Sequence, residues 1–71
     1  MKINNLTDFR TALAQGKWAW PGGYPCYFVC ADGDPLSVEA ATANSHLIEA
    51  AVKGPGTDKQ WEVVGYEINW E

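Results

Sequence analysis

A chain of 71 residues with a formal net charge of −4 makes one domain, 1–71, and a domain this small buries only about 60% of the surface its unfolded form exposes. Its core must be dense, and four Trp, three Tyr and two Phe supply the bulk for it. The acid excess argues against a general nucleic-acid binder, whose affinity comes from Lys and Arg on phosphates, and no apolar run is long enough for a membrane helix.

Taken in order, Met1 to Asn5 has no apolar stretch of the secretory type, so a cytoplasmic protein is expected. Leu6 to Gln15 reads as a short helix. Thr7 is placed to cap it, Asp8 suits the first turn, and Gly16 ends it. Leu6, Phe9 and Leu13 recur at helical spacing. Lys17 to Trp20 is a short extended piece, and Pro21-Gly22-Gly23-Tyr24-Pro25 is too rich in Pro and Gly for regular structure.

Cys26 to Ala31 is the first clear strand. Cys26, Phe28 and Cys30 point one way and Tyr27, Val29 and Ala31 the other, both apolar, so the strand is expected to be covered on both sides or central in a sheet. Asp32-Gly33-Asp34 turns the chain, and Pro35-Leu36-Ser37 returns as a very short strand confined by Pro35 to an edge or a strand start.

Val38 to Val52 reads as one helix, capped by Ser37 and closed by Gly54-Pro55. Val38, Ala41, Ser45, Ile48 and Val52 form its apolar stripe, widened by Leu47 and Ala51, while Thr42, His46, Glu49 and Lys53 face water. After the loop 54–58, Gln60 to Trp70 is the last strand. Val64, Tyr66, Ile68 and Trp70 share one face and Glu67, Asn69 and Glu71 the other, with a bulge expected near Gly65 because Trp61 and Val63 break the phase. The expected fold is α+β: a small, mainly antiparallel sheet of about three strands with two packed helices, in the order α-β-β-α-β.

Cys26 and Cys30 stand about 13 Å apart along a strand, too far to bridge. Free thiols fit a reducing compartment. With His46 they make three ligands at most, short of a structural zinc set. Asp32-Gly33-Asp34 lacks the later ligands of a calcium loop, and Ser37 has no nucleophile elbow around it. No catalytic constellation, cofactor or metal is expected.

The remaining candidates are surface groups. Trp18, Trp20 and Tyr24 flank a rigid Pro-Gly loop, where aromatics make interface anchors, stack bases or grip a polyproline II peptide. Residues 1–31 carry Lys2, Arg10 and Lys17 against Asp8, whereas residues 32–71 set Lys53 and Lys59 against eight acids. Asp32, Asp34, Glu67, Asn69 and Glu71 are therefore candidates for contact with a protein partner.

The strings Trp20-Pro21-Gly22-Gly23-Tyr24-Pro25, Tyr27-Phe28-Val29, Ala31-Asp32-Gly33, Leu36-Ser37, Trp61, Val63-Val64-Gly65 and Ile68-Asn69-Trp70-Glu71 resemble a family of short uncharacterised proteins of tailed phages and prophages, from about Leu13 onward. The resemblance implies a mobile-element accessory protein and brings no active site with it. By analogy with other small acidic phage proteins, the expected function is non-enzymatic and stoichiometric: binding a host or phage protein, including inhibition of a host defence such as CRISPR-Cas. The alternatives are a single-strand nucleic-acid binder using the loop aromatics and a structural or replication component of a phage.

Overall fold

The sheet is built around one central strand. In this computed structural model, which describes residues 1–19 and 22–69, the strand β2 covers Tyr24–Cys30, preceded by β1 (Trp18–Ala19) and followed by β3 (Pro35–Ser37) and β4 (Val63–Ile68). All three neighbours pair with β2 antiparallel. β1 and β3 share one edge, since the Cys26 N–H donates to the Lys17 carbonyl at 2.8 Å and the Cys30 N–H to the Asp34 carbonyl at 3.0 Å. β4 holds the other edge, where the Asn69 N–H donates to the Pro25 carbonyl and the Ala31 N–H to the Glu62 carbonyl, both at 2.8 Å. The α+β fold is as expected, and β2 is the central strand. It starts earlier than its apolar run, taking in Tyr24 and Pro25. Pro25 loses only the donor half of its pairing, because its carbonyl still accepts from Asn69.

Three helices cover one face. α1 is Leu6–Gln15 as predicted, but Asn5 caps it, its Oδ1 accepting from the Asp8 N–H at 2.8 Å, while Thr7 lies inside the helix and exposed. The helix expected over 38–52 is broken in two, α2 (Val38–Ala43) and α3 (Ser45–Lys53). Asn44 makes the break: its backbone N–H and its side-chain amide both donate to the Ala40 carbonyl, at 3.0 and 2.9 Å, a local competition that ends helices. Val38, Ala41, Ile48, Ala51 and Val52 are buried as the stripe requires, but Leu47 is 39% exposed.

The core lies between these helices and the Cys26-Phe28-Cys30 face of β2. Phe9, Phe28 and Tyr66 stack through it, with ring centroids 5.6 and 5.1 Å apart and planes tilted by 53° and 51°, the tilted arrangement that aromatic quadrupoles favour. Both cysteines are buried and free.

β4 is shorter than predicted because Asp58 to Glu62 form a turn, with the Asp58 carbonyl accepting from the Trp61 and Glu62 N–H groups. Its register slips by one residue between Gly65, opposite Val29, and Val63, opposite Cys30. Val64 is the extra residue of this bulge. It is 39% exposed and Val63 takes the core position instead, which corrects the expected Val64-Tyr66-Ile68 face. The expected packing of Trp70 lies outside the described residues.

The outer edge of β4 is also occupied. The Met1 ammonium donates to the Tyr66 carbonyl, the Tyr66 N–H to the Met1 carbonyl and the Ile3 N–H to the Val64 carbonyl, at 3.1, 2.9 and 3.0 Å. Residues 1–3 thus pair along β4 and put Ile3 into the core at 5% exposure.

Candidate functional site: an open sheet face

With the helices on the Phe28 side, the opposite face of the sheet is left uncovered. Residues directly opposite on paired strands share a face, so the registers define three rows across it. Trp18, Pro25 and Asn69 form the first; Ser37, Tyr27 and Glu67 the second; Pro35, Val29, Gly65 and Lys2 the third. Gly65 confirms the parity, since a Cβ there would lie 3.7 Å from the Cβ of Val29. Tyr27 and Val29 are half-buried, Pro25, Pro35 and Asn69 are exposed, and Trp18 is 47% exposed. A shallow depression of about 440 Å³ is lined by Pro25, Cys26, Tyr27, Pro35 and Asn69.

The turn before β2 explains why the loop aromatics part company. Gly22 and Gly23 both have positive φ, 109° and 66°, and a Cβ on Gly22 would meet the Tyr24 ring at 2.7 Å. Only glycine lets the ring lie so close. Tyr24 stands opposite Ala19, so its parity is that of Phe28 rather than of Trp18. The structure therefore separates Trp18 from Tyr24 and brings Trp18 to Tyr27 instead. Trp20 and Glu71 lie outside the described residues.

Charges border this face unevenly. Glu67 stands beside Tyr27, with its Oε1 3.7 Å from the Met1 ammonium. Lys17 pairs with Glu39 at 3.1 Å and its Nζ sits 5.7 Å from the Trp18 ring centroid. The hydrogen bond from Lys17 holds the Glu39 carboxyl below its usual range. Asp32 and Asp34 form the β2–β3 turn, where Asp32 Oδ1 accepts from the Asp34 N–H at 3.0 Å. That turn is roughly 20 Å along β2 from Trp18, at about 3.3 Å per residue, so the acidic candidates form two groups rather than one patch. Near the turn, burial first and then Asp32 and Asp34 push the Cys30 thiol up, which keeps it protonated and unreactive.

His46 is exposed on α3 while the cysteines face the core, and among the described residues no group of three or more His, Cys, Asp or Glu side chains is placed to hold a metal. No described helix is long and apolar enough to cross a membrane.

Pro25, Tyr27, Val29 and Pro35 were not among the predicted site residues. Their signal was present in the apolar second face of β2, but which face stays open depends on where the helices dock. No family model, no curated protein and no solved structure matches this chain.

Proposed function

We propose that this chain is a small acidic accessory protein, of the phage type its sequence resembles, that acts without catalysis by stoichiometric binding to one host or phage protein. The open face is its contact surface, and interference with a host defence complex is the biological role this reading favours. The observation that carries it is the row structure of that face: Trp18, Pro25, Tyr27 and Val29 sit uncovered in a domain that places all three helices on the other side. A chain with so few residues needs its aromatics for the core, and aromatics left on a rigid sheet are suited to anchoring an interface.

The test is recovery of a partner from host lysate with the wild-type protein, with Trp18→Ala plus Tyr27→Ser, and with His46→Ala on α3 as a control. Wild type and control should recover the same protein in stoichiometric amount and the double variant should not. Retention by the double variant refutes this reading.

A second reading has one observation in its favour, since Trp18 and Tyr27 on a sheet face also suit base stacking. Glu67 beside Tyr27 and the net charge of −4 oppose a phosphate backbone. Tryptophan fluorescence titrated with oligonucleotides at low salt separates the two, and strong quenching would favour nucleic acid.

A further inference from the structure

We propose that the open face takes a short proline-containing segment of the partner, in the polyproline II conformation, with a Lys or Arg beside the prolines. This rests on the reading that the face binds protein, and it names the part of the partner that is bound.

Backbone pairing is closed to a ligand at the centre of this sheet. β1 and β3 occupy one edge of β2 and β4 the other, while Met1 to Ile3 cover the outer edge of β4 at Val64 and Tyr66. A segment pairing with β2, or with β4 at Val64 and Tyr66, would have to displace one of them, so recognition at the centre of the face falls to side chains.

Area selects a short segment over a folded surface. Five residues of β2 and three strand widths span on the order of 200 Å² of flat sheet. A standard interface, including that of a stable dimer, takes about 800 Å² from each partner. A second copy of this chain is therefore poorly served by the face alone, whereas a peptide of a few residues fits the depression between Pro25, Tyr27 and Pro35.

Spacing and chemistry select proline. Trp18 is directly opposite Pro25, and Tyr27 is two residues further along β2, a diagonal of about 7–8 Å. Two rings at that separation form a slot for a third ring between them. A polyproline II segment has no internal hydrogen bonds, so its carbonyls are free for donors such as the Trp18 indole N–H and the Tyr27 hydroxyl. It also arrives pre-ordered, which lowers the entropy lost on binding a shallow site.

Charge selects the flanking residue. Glu67 shares the row of Tyr27 and is exposed, with its Oε1 3.7 Å from the Met1 ammonium and Lys2 in the neighbouring row, and the chain carries net −4. A Lys or Arg placed next to the prolines meets this carboxylate.

The experiment uses the full chain, labelled for amide NMR, titrated with the amidated peptide Ala-Pro-Pro-Lys-Pro-Pro-Arg-Ala. Two control peptides replace every Pro by Ala, or the Lys and Arg by Glu. The proposal predicts shifts confined to the Trp18 indole and to the amides of Tyr27, Val29 and Glu67. The Ala-for-Pro peptide should bind at least about tenfold more weakly, and Trp18→Ala should cost a similar factor, as loss of an anchor does. Glu67→Gln should abolish the preference for the basic over the acidic peptide while leaving the melting temperature unchanged. Equal binding of the Ala-for-Pro peptide, shifts elsewhere, or no shift overturns the assignment. If the peptide fails while a folded partner is still captured through Trp18 and Tyr27, the proline assignment falls and protein binding stands. Open-face shifts given by an oligonucleotide but not by the peptide overturn both.

Discussion

The Tyr66 hydroxyl donates to the carbonyl of Gly16 at 2.6 Å, tying β4 to the C-terminal cap of α1 across 50 residues of chain. Gly16 takes φ 82° at that cap, and the bond satisfies a carbonyl at the helix end. Burial, and then the neighbouring Cys26 thiol, push the Tyr66 phenol up to about 12. An unfolded tyrosine titrates near 10. The folded state therefore holds this proton more tightly, and its contribution is complete below pH 10 and lost as pH rises toward 12. The gap corresponds to roughly 2–3 kcal/mol. Urea unfolding followed from pH 9 to pH 12 should show a loss of that order in wild type and a smaller one in Tyr66→Phe. At neutral pH Tyr66→Phe should cost about 1 kcal/mol for the lost bond. Parallel alkaline profiles for the two proteins would contradict the link.

Phe28 is fully buried between Phe9 and Tyr66. Phe28→Ala should cost about 3–5 kcal/mol, comparable to the whole stability of a domain this size. The variant should lack a cooperative thermal transition at 37 °C or above by circular dichroism. A melting temperature within a few degrees of wild type would mean that the core lies elsewhere.

Cys26 and Cys30 should behave as inert thiols. Both are buried, four residues apart on the same face of β2, and too far from each other to bridge. Reducing agent should leave the melting temperature unchanged, and an aromatic disulfide reagent should label neither thiol until the chain unfolds. Rapid labelling of the native protein would contradict the burial of β2.

The pairing of residues 1–3 with β4 has its own consequence. Ile3→Ala removes a core side chain that is 5% exposed and should cost about 2–4 kcal/mol. It should also speed hydrogen exchange at the Tyr66 amide, which donates to Met1. Unchanged exchange there would show that the N-terminal pairing is dispensable.

Much of this architecture is written locally. Leu6 to Gln15 carries its own period and its Gly16 stop, and the apolar run from Cys26 needs no tertiary context to be read as a strand. The features that escaped are those that local pattern cannot encode. Val63 and Val64 are the same residue type, so hydrophobicity alone does not say which one the bulge expels. The apolar stripe runs straight through Asn44, and the break there comes from a side chain competing for the Ala40 carbonyl. Met1 to Ile3 are too few to show a period, and their partner lies more than 60 residues away. Tyr27 was placed opposite in sense to Phe28 from the alternation of β2, but its exposure follows from all three helices docking on the other face. Trp18 was legible as a surface aromatic, whereas its neighbour on that surface was not.

The face bearing Trp18 and Tyr27 is proposed as the surface that meets the partner. Hydroxyl-radical footprinting of the purified complex against the free protein tests it most directly. Trp18, Pro25 and Tyr27 should be protected, with His46 and Leu47 on α3 as reactive in the complex as alone. Protection of His46 and Leu47 with Trp18 and Tyr27 unchanged would contradict it.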